Sequence, residues 1–121
     1  LNKPTRFYSK KQEQAVAKVV NGRRTANSGA TPFYKGDVVT NDWCVECKTA
    51  TEAKASMSIK REWFSKLKEE AFGTGKHYSA VAFNYGPDTD NHYIIDEKTF
   101  KRVVELFEKE DHEDAGWTKP W

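Results

Sequence analysis

Cysteine is nearly absent from this chain, with two residues in 121, and the three histidines are scattered at positions 77, 92 and 112. That is too few for a structural zinc site, which needs a second ligand pair at finger spacing. Long apolar runs are missing as well, and none approaches the roughly 18 residues of a membrane span. Leu1 to Lys11 is polar and basic with no apolar stretch behind it, unlike a secretory signal. The expectation is an intracellular protein that engages no membrane. Four prolines and seven glycines gather into no linker or low-complexity tract, and no segment repeats. Residues 1–121 therefore read as one domain, at a length near the mode for single domains. Apolar residues are few, at 37%, yet the sixteen aromatics are enough to anchor a core.

Net charge is close to balanced at +2, but the two signs are unevenly spread. Residues 1–61 hold 12 basic against 5 acidic side chains, and residues 62–121 hold 8 against 13. Phosphate contacts depend on local charge, so the basic half suits either a polyanion-binding face or plain solvated surface. The acidic run from Glu108 to Asp114 reads as a solvated helix end.

Ser9-Lys10-Lys11-Gln12 fits a capping box and predicts a first helix from Ser9 to about Val20, halted at Asn21-Gly22. Val16 and Val20 form its apolar stripe, and Glu13 lies on the same stripe. A carboxylate on a buried face needs a reason. The stretch from Arg23 to Lys35 reads as loop. Gly36 to Thr40 and Trp43 to Lys48 read as two strands that turn at Asn41-Asp42. Ser58 is placed to cap a second helix in which Ile59, Trp63, Leu67 and Ala71 recur every fourth residue, with Gly73 ending it. Tyr78 to Tyr85 reads as a largely buried strand and His92 to Ile95 as another. Phe100, Val103, Val104 and Phe107 mark an amphipathic closing helix. Trp117 and Trp121 read as tail residues that pack back on the core or meet a partner. The order α-β-β-α-β-β-α implies an α/β fold, a mixed central sheet flanked by helices.

Side chains alternate along a strand, so Cys44, Glu46 and Lys48 face one way while Val45 and Cys47 face the other. Asp37 opens the preceding strand, and the hairpin turns its carboxylate toward Glu46. Two carboxylates beside a lysine make a hard oxygen site for Mg²⁺ next to an ammonium that holds or activates a water. That is the equipment for cutting a phosphodiester. The same alternation puts the sulfurs of Cys44 and Cys47 on opposite faces, which argues against thiol–disulfide exchange. Ser28 lacks the strand-to-helix Gly-x-Ser-x-Gly setting of a hydrolase nucleophile.

Asp37 followed by Glu46-Cys47-Lys48 resembles the PD-(D/E)xK nuclease superfamily, whose core is restriction-endonuclease-like. Arg24-Thr25-Ala26-Asn27-Ser28-Gly29, then Gly36-Asp37-Val38-Val39, then Val45-Glu46-Cys47-Lys48-Thr49 resemble the archaeal-type Holliday-junction resolvases, over roughly Gln12 to Phe83. Gly36 stands where that family usually has proline. The resemblance implies that Asp37 and Glu46 ligate Mg²⁺, with Mn²⁺ able to substitute, and that the Cys47 carbonyl and Glu13 complete the ligand set. It implies that Lys48 orients the attacking water and that Arg24 and Ser28 contact DNA near the scissile bond. In that setting Arg23 and Lys35 read as further DNA contacts. The implied substrate is a four-way junction or other branched DNA, cut to 5′-phosphate and 3′-hydroxyl ends. Two symmetric nicks from one site per subunit imply a homodimer. Two other functions stay open at this point: a nicking, restriction-like or repair endonuclease on duplex DNA, and a DNA-binding module without catalysis.

Overall fold

The structure is a computed structural model, and it describes residues 3–25 and 36–114. Ser28, Lys35, Trp117 and Trp121 lie outside the described residues. In chain order the elements are α1 (Thr5–Val20), β1 (Arg23–Arg24), β2 (Val38–Val39), β3 (Trp43–Lys48), α2 (Arg61–Gly73), β4 (Tyr78–Phe83), β5 (His92–Ile94) and α3 (Glu97–Asp114). Among the described residues, five strands form one sheet in the order β1-β2-β3-β4-β5. β3 and β4 run parallel and every other pair is antiparallel. A parallel neighbour demands a crossover, and α2 supplies it.

β3 is the centre of the sheet and is buried on both faces. Val45 packs with Val16, Val38 and Ala82 beneath α1, whereas Cys44 packs with Leu67, Ala71 and Val81 beneath α2. The strand alternation expected from the sequence therefore holds, and the mixed sheet with flanking helices is the α/β arrangement anticipated.

Element ends differ in informative ways. α1 begins at Thr5, directly after Pro4, rather than at Ser9. Ser9 Oγ donates back to the Thr5 carbonyl at 3.2 Å, which is the bond of a serine inside a helix and not of a cap. Gln12, the other half of the expected capping box, is buried instead. Its Nε2 donates to the carbonyls of Lys48 (3.1 Å) and Ala82 (3.3 Å) and to Asn91 Oδ1 (3.0 Å). The helix stops where expected, with Asn21 left-handed at φ 53° and the Gly22 N–H donating to the Ala17 carbonyl at 2.8 Å.

α2 starts at Arg61, three residues beyond Ser58, and leaves Ile59 outside it and exposed. Packing of Trp63 and Leu67 against the sheet, rather than cap chemistry, sets that start. Its other end is Gly73 as expected, closed by Thr74 Oγ1 donating to the Glu70 carbonyl at 2.7 Å. Arg23 and Arg24, read as loop, form an edge strand paired with Val39 and Val38. Two residues are too few for an alternation to register. β4 ends at Phe83 because Asn84 Oδ1 accepts from the N–H groups of Ala50 (3.0 Å) and Gly86 (3.2 Å) and turns the chain away. β5 stops at Ile94, one residue short of the expected end.

α3 forms where the periodicity put it, yet its apolar side is not covered. Phe100, Val104, Leu106 and Phe107 are all exposed. The helix is fastened near its start, where Asp96 Oδ1 accepts from the Thr99 N–H at 2.8 Å and Arg102 Nε donates to the Tyr78 hydroxyl at 2.9 Å. Among the described residues no helix is long and apolar enough to cross a membrane.

Candidate active site

Asp37 stands at the entrance to β2, and the residue before it fixes how it gets there. Gly36 has φ 74°, and a Cβ at that position would overlap Cys44 Sγ. Only glycine tolerates both conditions, and a proline, locked near φ −65°, has the wrong backbone for this place. The departure from the usual proline thus has a local cause. Asp37 is then held by its own backbone: its N–H donates to the Val45 carbonyl at 3.0 Å and its carbonyl accepts from the Thr25 N–H at 3.1 Å.

The Asp37 side chain turns toward β3. Its Oδ2 accepts from the Cys47 N–H at 2.8 Å, and its carboxyl group is hydrogen-bonded to that of Glu46. Glu46 is buried and on the α2 side of β3. Lys48 Nζ lies 3.4 Å from Glu46 Oε1 and 5.0 Å from the centre of the Trp63 ring, so an ion pair and an aromatic face steady one ammonium. The structure therefore brings Asp37, Glu46 and Lys48 together.

Glu13 approaches from α1, half-buried, with Arg24 Nε 3.1 Å from its Oε1. Burial and the neighbouring Asp37 push the Glu13 carboxyl above the usual carboxylate range, and Arg24 offsets part of that. Asp37 is also raised, foremost by burial, against the opposing pull of the Cys47 N–H, Lys48, the bond with Glu46 and Arg24. Each of these carboxyl groups disfavours ionisation of its neighbour, and a cation among them relieves that.

A fourth acid joins the set that the sequence reading did not single out. Glu70, on α2, is 6% exposed. Burial first, then Glu46 and Asp37, push its carboxyl up to about 8. The signal was available: Glu70 lies on the stripe made by Trp63, Leu67 and Ala71, just as Glu13 lies on the stripe of α1. Glu46, Lys48, Trp63, Lys66 and Glu70 line an open cleft of about 500 Å³ between β3 and α2.

Among the described residues no three His, Cys, Asp or Glu side chains are drawn close enough to form a finished metal cage. The donor chemistry nonetheless suits a divalent cation of the Mg²⁺ type, because every candidate donor is an oxygen, three from carboxyl groups and one from a backbone carbonyl, and the carboxyls of Asp37 and Glu46 are hydrogen-bonded to each other. Arg23 and Arg24 stand together on the edge strand. Cys44 and Cys47 form no disulfide and lie on opposite faces of β3. Burial pushes Cys44 up to about 12 and Cys47 further still, so neither is a reactive thiolate. His77 pairs with Asp42 at 3.1 Å, and His92 stacks on Phe83, so both are engaged elsewhere.

The fold is restriction-endonuclease-like. It is similar to the structure of Hjc from Archaeoglobus fulgidus, a Holliday junction resolvase from an archaeal hyperthermophile, with a TM-score of 0.54 and 22% sequence identity. The match covers 75% of this chain and 74% of that one. No family model and no curated protein matches the chain. At that identity the likeness lies in the backbone arrangement, and it carries the fold.

Proposed function

We propose that this protein is a metal-dependent, structure-selective DNA endonuclease, a Holliday-junction resolvase that hydrolyses phosphodiesters to 5′-phosphate and 3′-hydroxyl ends. The observation that supports it most is the joining of Asp37 to Glu46 and to the Cys47 N–H, with Lys48 3.4 Å from Glu46. Asp37, Glu46, the Cys47 carbonyl and Glu13 are the groups that would hold Mg²⁺, or Mn²⁺ in its place. The ion, when bound, supplies Lewis-acid activation of the phosphate and of a water.

The chain's own residues do the rest. Lys48 offers its ammonium to the attacking water and offsets negative charge as it builds on the phosphorus centre. Glu46, which pairs with it, keeps that ammonium at the floor of the cleft. Arg23, Arg24, Ser28 and Lys35 are assigned to DNA, where they hold phosphates and fix register without reading sequence. Two copies acting on one four-way junction give the paired nicks that resolution requires, and the uncovered apolar side of α3 is a surface on which such copies can meet.

The test is cleavage of a synthetic four-way junction with Mg²⁺, compared with a linear duplex of the same sequence. Junction cutting by the wild type that Glu46→Gln abolishes is the expected result. Equal cutting of linear duplex would move the reading to a general nicking or repair endonuclease. Binding without cutting would move it to a DNA-binding module.

A further inference from the structure

Glu70 is a buried carboxylate that belongs neither to the hairpin motif nor to the residues proposed to contact DNA. More than nine-tenths of it is buried, and its Oε2 is sealed from solvent without a hydrogen-bond partner. An orphaned buried acceptor keeps its full desolvation penalty, and a charged one keeps more. Gln12 Oε1 shares that condition, but three hydrogen bonds through Nε2 account for Gln12's place. What surrounds Glu70 is different. It lines the same cleft as Glu46 and Lys48, and Glu46 and Asp37 both act on it electrostatically. Its Oε2 would stand 3.8 Å from a Cβ at Gly36, which sets it beside the backbone that carries Asp37.

We propose that Glu70 is a further carboxylate ligand of the divalent cation, held from the α2 side of β3 together with Asp37 and Glu46. This rests on the nuclease reading and adds to it a ligand that the motif does not contain. A divalent ion takes six or more oxygen ligands, so a buried, unpartnered carboxylate oxygen in the field of two other carboxyls has a use there. α2 holds the Glu70 backbone in the wall of the cleft that Glu46 and Lys48 also line. The assignment also divides the acids by face: Glu13 comes to Asp37 from α1 and Glu70 from α2, with Asp37 and Glu46 between them.

The experiment is Mn²⁺ titration of the full chain, followed by electron paramagnetic resonance and by calorimetry at one fixed pH. Wild type, Asp37→Asn, Glu70→Gln and Glu70→Asp are compared. Glu70→Gln keeps the shape and removes the charge, and is expected to weaken Mn²⁺ binding about tenfold or more, as Asp37→Asn does. Glu70→Asp, which keeps the charge on a shorter stem, is expected to fall between Glu70→Gln and wild type. Undiminished Mn²⁺ affinity in Glu70→Gln, against a clear loss in Asp37→Asn, would overturn the Glu70 assignment and leave the nuclease reading standing. No Mn²⁺ binding by wild type, together with no junction cutting, would overturn both.

Discussion

Arg24 Nε lies 3.1 Å from Glu13 Oε1, so a residue assigned to DNA holds a residue assigned to the metal. The pair joins the edge strand β1 to α1. It gives one arginine two opposing effects on the proposed chemistry: it attracts phosphate, and it competes with a cation for Glu13.

Arg24→Gln is therefore expected to act in opposite directions on the two ligands. Junction binding without metal weakens, and the slope of log affinity against log salt falls by about one. Mn²⁺ binding tightens by a few-fold, because Glu13 is released and a positive charge leaves the site. Filter binding across a salt series and a parallel Mn²⁺ titration measure the two. Loss of both affinities together would mean that Arg24 acts by holding up the fold.

Lys48→Met separates holding the ion from using it. The ammonium pairs with Glu46 and lies over the Trp63 ring, but it donates no ligand oxygen. Mn²⁺ affinity is expected to hold or rise while junction cleavage falls by about 10²–10⁴. Single-turnover cleavage with saturating metal reads the second effect free of the first. A variant that cuts normally would remove Lys48 from the chemistry.

The Glu70 carboxyl predicts how stability depends on pH. Its folded-state value, about 8, lies above the ordinary value of 4.5, so it binds its proton more tightly in the folded chain than in the unfolded one. The stability this contributes is complete below about pH 4.5 and is lost as pH rises through about 8. Glu70→Gln cannot ionise, so with EDTA present its melting temperature should match wild type near pH 4.5. It should then exceed wild type by an increasing margin up to about pH 8, reaching about 5 °C or more. A gap that does not change with pH would mean that Glu70 titrates like an exposed carboxylate.

Gly36→Ala tests the backbone that delivers Asp37. The left-handed φ of 74° and the overlap with Cys44 Sγ act together. The expected loss is about 2–4 kcal/mol of unfolding free energy, seen as a lower urea midpoint with the slope unchanged. Gly36→Pro should be worse than Gly36→Ala, despite proline being the usual residue here in the resolvases that the motif resembles. Equal stability of the proline variant would show that the loop can take a second path.

Which parts of this were legible in the sequence follows from how local each cause is. The hairpin holding Asp37, Glu46 and Lys48 was legible, because β-branched runs, a polar turn and strand alternation all act within a dozen residues. The end of α1 at Asn21-Gly22 and the end of α2 at Gly73 were legible for the same reason. The start of α1 was not, because Ser9 and Gln12 match a capping box by spacing, while the fold spends Gln12 on carbonyls 36 and 70 residues away. β1 was missed because two residues carry no period, and its pairing is set by Val38 and Val39. Glu13 was picked out and Glu70 was not, although both are carboxylates on apolar stripes. The spacing signal was equal in the two helices, and the motif pointed to only one of them.

The parallel pairing of β3 with β4 has a consequence for when the protein becomes active. The three motif residues lie in one local hairpin and Glu13 precedes it on α1, but Glu70 takes its place only after α2 has crossed over and β4 has docked. Parallel pairing closes a long loop and is a slow, non-local step. On the proposed reading, a chain emerging half-made would hold Glu13 and the hairpin without Glu70. Its capacity to damage DNA would be gated by completion of the fold. In refolding, cleavage should then appear in step with the slowest conformational phase and not with formation of the hairpin.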